Sequence, residues 1–253
     1  MSSLTIALIV LACVFGGSLL GLYLRVVLPE HHLSEGSMGV VKLSAGVIAT
    51  MSALVLGLLI SSAKGSFDRV NNELIENAAR IVLLDRVLAE FGPETRTLRD
   101  SIKRDYAIRV ELLASGDATR MAKLDTPEEL GRTESMQAGL WQLSPRNDTQ
   151  RGLKSRALQL AAELGSTRAL VLLQNDGSIR MPMLVVLVSW LVVVFAAFGL
   201  CAPRNETIMA AFFVCALSYA GAVFLILEMD RPLDGMIRIS SAPLRAALAH
   251  LGQ

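Results

Sequence analysis

Net charge is almost missing from this chain: 24 Lys and Arg stand against 23 Asp and Glu in 253 residues, a formal +1. That balance removes any whole-chain electrostatic case for nucleic acid or acidic partners, so nucleic acid is not expected and charge can act only locally. Cysteine is equally sparse. Cys13, Cys201 and Cys215 fall inside apolar stretches, and an odd count without CxxC spacing makes neither a disulfide framework nor a metal site; buried, inert thiols are expected. Signatures of catalysis are missing as well. There is no P-loop, GxGxxG, HExxH, GxSxG or paired-carboxylate motif, so the chain reads as neither an enzyme nor a cofactor binder. No ionisable residue stands out within an apolar stretch, which argues against a proton-coupled transporter. No basic residue precedes the first apolar run, and that run exceeds a typical signal-peptide core, so cleavage is not expected.

What the chain does have is apolar mass: 53% hydrophobic residues, a mean hydropathy of +0.50 and only 19% charge. This is concentrated in four blocks, 4–24, 43–64, 183–202 and 208–227. Each is about 20 residues, enough at 1.5 Å per residue to cross a ~30 Å bilayer core. The fold class is therefore an all-α integral membrane protein with four transmembrane helices. The expected division is a first membrane pair over 1–64, a cytoplasmic helical domain over 65–180 inserted between the second and third spans, a second pair over 181–228, and a cytoplasmic tail over 229–253.

The second span carries a row of small residues at every fourth position: Ala45, Ala49, Ala53, Gly57, Ser61 and Gly65. Four residues turn a helix by about 400°, so the row climbs slowly around the cylinder as a shallow groove where another backbone can approach. Either the groove packs against a span of the same or a neighbouring subunit, or it lines a pore. Thr50, Ser52, Ser61 and Ser62 add hydroxyls that bond back to helix carbonyls, across to a neighbour, or to water. Gly16, Gly17 and Gly21 offer a second close-packing surface on the first span.

Beyond the second span, Phe67, Val70, Leu74, Ala78, Ile81, Leu84 and Leu88 recur at spacings of three and four, so the helix is expected to run on as an amphipathic one to the Gly92-Pro93 stop, with a kink possible at Gly65 and Ser66. Further helices are expected over 94–115, after Thr126-Pro127, after Ser144-Pro145 and over 244–251, and Thr207 is the expected cap of the fourth span. The adjacent His31 and His32 point about 100° apart on a helix and have no third ligand nearby, so they read as a solvated loop pair.

Basic residues near the membrane divide six to three. Lys64, Arg69, Arg168, Arg180, Arg231 and Arg238 share one side; Arg25, Lys42 and Arg204 share the other. The positive-inside tendency then puts the large domain and both termini in the cytoplasm, with the plasma (inner) membrane as the expected location. Lys42 and Lys64 bracket the second span as candidate pore-mouth charges that would attract anions, whereas Asp68, Glu73 and Glu76 would favour cations. Snorkelling to lipid headgroups explains the two lysines equally well. In the tail cluster Glu228, Asp230 and Arg231, the arginine favours internal pairing or docking of the tail over cation binding, and Asp85-Arg86 reads as a pair or an interhelix contact.

Several strings together resemble the bestrophin-like domain family, membrane proteins largely of unknown function and distantly likened to bestrophin anion channels. They are LPEHHLSE at 28–35, ATMSALVLGLLISSAKGSFD at 49–68, LLDRVLAEFGPETRTLRD at 83–100, FGLCAPRNETI at 198–208 and LEMDRPLDGMIRISSAPLR at 227–245. In bestrophins the second span lines the pore through an aromatic neck and consecutive acidic residues hold calcium. This sequence has no aromatic between Leu43 and Gly65, and Glu228, Asp230 and Asp234 are interrupted by Arg231, so neither feature carries over.

The resemblance implies a homo-oligomeric ion channel with the second transmembrane helix on the axis and cytoplasmic helices forming a vestibule. Its partners would be lipid, copies of itself and inorganic ions. Four helices do not readily surround an aqueous route alone, which also points to oligomers. The alternative is a non-conducting scaffold or signalling protein whose grooves serve packing only.

Overall fold

The structure is a computed structural model. It describes residues 2–29, 33–115, 126–173, 181–230, 236–237 and 239–253, the side chains of 127–130 and 166–173 excepted. Expectations placed on His31, His32, the Arg168 side chain, Arg180, Arg231, Asp234 and Arg238 lie outside the described residues.

Among the described residues the chain is all-α. The elements are α1 (Ser3–Val27), α2 (Glu35–Phe91), a 3-10 turn (Pro93–Thr95), α3 (Arg96–Ser115), α4 (Pro127–Gln142), α5 (Asp148–Leu173), α6 (Met181–Cys201), α7 (Glu206–Met229) and α8 (Ala242–His250). Four of them, α1, α2, α6 and α7, are long and apolar enough to cross a membrane.

Local chemistry sets the ends. The single helix α2 starts at Glu35, earlier than the apolar pattern suggested, because Ser34 caps it: Ser34 Oγ accepts from Ser37 N at 3.4 Å and Ser34 O from Met38 N at 2.9 Å. It runs through Gly65 and Ser66, since one glycine costs a helix only about 1 kcal/mol relative to alanine. It stops at Gly92, whose φ of 142° few other residues adopt, followed by Pro93. There the Thr95 hydroxyl donates to Leu88 O at 2.5 Å and to Gly92 O at 2.8 Å, satisfying carbonyls that the helix end leaves open. Two caps differ from expectation. Asn205, not Thr207, caps α7, its Oδ1 accepting from Thr207 N at 3.0 Å. At α5 the helix opens at Asp148 rather than after Ser144-Pro145, because Asn147 Oδ1 accepts from Gln150 N at 2.8 Å. In both cases an asparagine side chain sits where it can take an orphan N–H of the first turn.

The chain divides into two compact units, and α2 contributes to both, the division falling after Ser66. The first comprises 1–66 and 177–230. In it α1 packs most closely on α6, and the closeness depends on glycine. A methyl group at Gly21 would collide with Ala196 O, and one at Gly199 with Ser18 O. The two backbones are therefore in contact, as expected where lipid-solvated helices associate by van der Waals packing rather than by the hydrophobic effect. Gly17 is also tight against Val192, whereas Gly16 faces open space. Val10, Val14, Leu187, Leu191, Phe195, Ala216, Val223 and Ile226 fill this core together with Leu59 and Ala63 of α2. The Phe195 ring meets Tyr219 edge-on at 5.8 Å. The cysteines correct the expectation of burial: Cys13 and Cys215 are exposed, and Cys201 is half-buried with Sγ 3.7 Å from Met38 Sδ.

The second unit comprises 67–176 and 231–253. Ile102, Tyr106 and Val110 of α3, Leu140 of α4, Ala157, Leu160 and Leu164 of α5, and Leu244, Ala247 and Leu251 around α8 close over Ala78, Ile81, Leu84 and Leu88 of α2.

Candidate functional site

The small-residue row advances about 40° around α2 at each step, so it cannot stay on one face. Ala45 is 2% exposed and packed within its own chain, and Ala49 is half-buried. From there the row turns outward. Ala53, Gly57, Ser61 and Gly65 are exposed, and a methyl group built on Gly57 or Gly65 would meet no atom within 4 Å. The face that α2 buries within its own unit is a different one, Ala45, Ser52, Leu59 and Ala63, whose spacings of seven and four drift far less. Beside the open row, Val47, Met51, Leu54 and Leu58 are also exposed.

The hydroxyls divide in the same way. Ser52, 1% exposed, donates to Ile48 O at 2.8 Å, satisfying its own polarity where no water reaches. Thr50 is exposed and donates to Val47 O at 2.7 Å. Ser61 and Ser62 are exposed.

The structure separates the candidate charges. Lys42 is exposed and also lines a small cavity in the first unit. Lys64 and Asp68 are exposed, each engaged in polar interactions. Glu76 is exposed and accepts from Arg80 Nη2 at 3.0 Å, an i,i+4 pair of small energetic weight. Glu73 is half-buried, and its Oε2 is fully buried with no hydrogen-bond partner. In the tail cluster, Glu228 is 5% exposed at the end of α7, Asp230 is the half-buried C-cap whose N–H donates to Ile226 O at 3.1 Å, and both residues make further interactions; Arg231 is outside the described residues.

Two features go beyond the sequence reading. Asp85 makes an interhelix contact, one of its two expected readings, and not a pair with the adjacent Arg86, which is exposed: Arg99 of α3 donates through Nε at 2.7 Å and Nη2 at 2.8 Å to the two carboxylate oxygens. Gly252 N donates to the same carboxylate at 3.0 Å, Lys103 Nζ to Leu251 O at 2.6 Å, and Arg99 Nη2 to Gln253 O at 3.2 Å, so the segment after α8 is tied to the pair. Burial pushes the Asp85 carboxyl up, but the Arg99 and Gly252 hydrogen bonds and the nearby Arg99 and Lys103 charges outweigh it and hold the pKa below the ordinary 3.8. Nothing local signals a partner fourteen positions away. The second feature is Arg25, whose Nη1 is fully buried without a partner; in the sequence it stands out only as a basic residue after an apolar run.

A family model described as Bestrophin-like domain matches residues 12–244. Among solved structures, a crystal structure of a point variant of a bacterial bestrophin homologue from Klebsiella pneumoniae matches with a TM-score of 0.65 at 15% identity, over 96% of this chain and 97% of that one. At that identity the match speaks for the fold. No curated protein matches.

Proposed function

The chain belongs to the bestrophin-like family, and from that premise we propose that it is a homo-oligomeric ion channel in which the second apolar helices of the copies surround the axis. One observation carries the reading. The groove of α2 turns outward from Ala53 to Gly65, where a methyl group built on Gly57 or Gly65 would meet no atom within 4 Å. A helix with small residues on an open face is shaped for close approach of another helix. The copies' second helices then present Thr50 and Ser61 to the axis, with Lys42 and Lys64 at its mouths and Asp68, Glu73 and Glu76 beyond. The domain over 65–180 and both termini lie on the cytoplasmic side of the plasma membrane, following the basic-residue asymmetry.

A non-conducting assembly is favoured by a single fact: the Thr50 hydroxyl is already satisfied by Val47 O and requires no water. Purified protein in planar bilayers separates the two. Ion flux that Ala53→Trp abolishes or sharply reduces supports the channel, and ion substitution then reads which charges set selectivity. Absence of flux across voltages, salts and lipid compositions, in a preparation that remains oligomeric, establishes the scaffold instead.

A further inference from the structure

Arg25 and Lys42 lead to a site apart from the α2 groove. Arg25 sits in the last turn of α1, and Lys42 lies two turns into α2. Together with Leu33, Met38, Leu200 and Cys201 they line a cavity of about 80 Å³ in the first unit. The described lining holds two cationic side chains and no carboxylate. Arg25 is half-buried, and its Nη1 is fully buried with no hydrogen-bond partner.

That arrangement is unfavourable in two ways. A charged donor atom buried without an acceptor loses its hydration uncompensated. Two like charges lining one small cavity repel, and an anion seated between them turns that repulsion into attraction.

The chemistry of the donors narrows which anion. A guanidinium offers a planar fork that grips two oxygens of one oxyanion, and an ammonium adds a point charge; this pairing suits phosphate. At about 30 Å³ per water, the cavity accepts two or three waters, or one group of phosphate size. We propose that the Arg25–Lys42 cavity binds a phosphate oxyanion, either free inorganic phosphate or the phosphate of a lipid headgroup. The proposal is independent of whether the oligomer conducts.

The test uses the full chain in detergent, stripped of lipid. Calorimetric titration with inorganic phosphate, against sodium chloride at matched ionic strength, reads the free-ion source. Thermal unfolding in nanodiscs of phosphatidylglycerol, against a phosphate-free galactolipid, reads the lipid source. Phosphate binding that weakens at least tenfold in Arg25→Gln and at least threefold in Lys42→Gln supports a free-ion site. Stabilisation by phosphatidylglycerol alone, lost in the same variants, supports a headgroup site. Lys42 is exposed, so its variant carries the test if Arg25→Gln fails to fold. Binding unchanged in both variants, an effect that follows ionic strength alone, or no effect from either source overturns the proposal.

Discussion

Replacing Asp85 with asparagine tests the account of the second unit most directly. Asp85 is 2% exposed and accepts three hydrogen bonds, two of them from Arg99 and one from Gly252 N. Asparagine keeps the shape but turns one acceptor oxygen into an NH₂, so a donor must face the guanidinium in either orientation, and the Gly252 N–H as well if it takes the Oδ2 position. Removing one partner of a buried pair costs about 3–5 kcal/mol. The Arg99 side chain retains 17% exposure, so water recovers part of that, and about 2–4 kcal/mol is expected. For a chain of 253 residues, roughly 2–4 °C of melting temperature accompanies each kcal/mol, so the apparent midpoint should fall by about 4–16 °C.

The assay is thermal unfolding in detergent at neutral pH on Asp85→Asn, Arg99→Gln and the double variant. Because both single changes break one contact, the double variant should be less destabilised than their sum by about 1–3 kcal/mol. The pH dependence has a defined sign. The folded pKa of Asp85 lies below 3.8, so its stabilisation is complete above 3.8 and is lost as pH falls through the lowered folded value. The gap between the native protein and Asp85→Asn should therefore be full at pH 7 and close at strongly acid pH. A midpoint within about 1 °C of the native protein at pH 7, or strict additivity in the double variant, refutes the reasoning.

Glycines of the two packing surfaces should respond oppositely. Gly199→Val places side-chain atoms within the backbone of α1 and should cost more than the roughly 1–3 kcal/mol of ordinary overpacking, read as loss of folded protein in fluorescence-detected size exclusion. Gly57→Ala meets nothing in its own chain and should leave the folded monomer intact, so any loss it causes will appear in the oligomer peak. Tyr106 is 5% exposed, its hydroxyl has no hydrogen-bond partner, and burial pushes its pKa up to about 12. Tyr106→Phe removes an uncompensated polar group, so it should be neutral or stabilising by up to about 1 kcal/mol in thermal unfolding; a clear loss would show that the hydroxyl has an acceptor.

Much of the architecture was legible because it rests on local rules. A run of twenty apolar residues has one stable state in lipid, the helix, so the four spans followed from composition, and the stop at Gly92-Pro93 followed from backbone chemistry. Family membership was legible from strings such as those at 49–68 and 227–245, and the family model covers the first and all but the last residue of the second. Cap identity was less legible, because neighbouring polar residues such as Asn205 and Thr207 compete for the same N–H groups and only geometry decides between them.

The candidate site shows where local rules end. Spacing alone gave the row from Ala45 to Gly65, but not which part of it the chain would cover. That depends on where α1, α6 and α7 sit, and they take the face of Ser52, Leu59 and Ala63 while leaving Ala53 to Gly65 open. Likewise, the sequence determined that Asp85 needs a counter-charge, and only the fold brought Arg99 and Gly252 to it. Helix formation is settled by hydrogen bonds spanning four residues, whereas partner choice is settled by contacts whose sequence separation is unrelated to their distance in space. The apolar pattern thus fixes the helices, and tertiary packing alone assigns their faces.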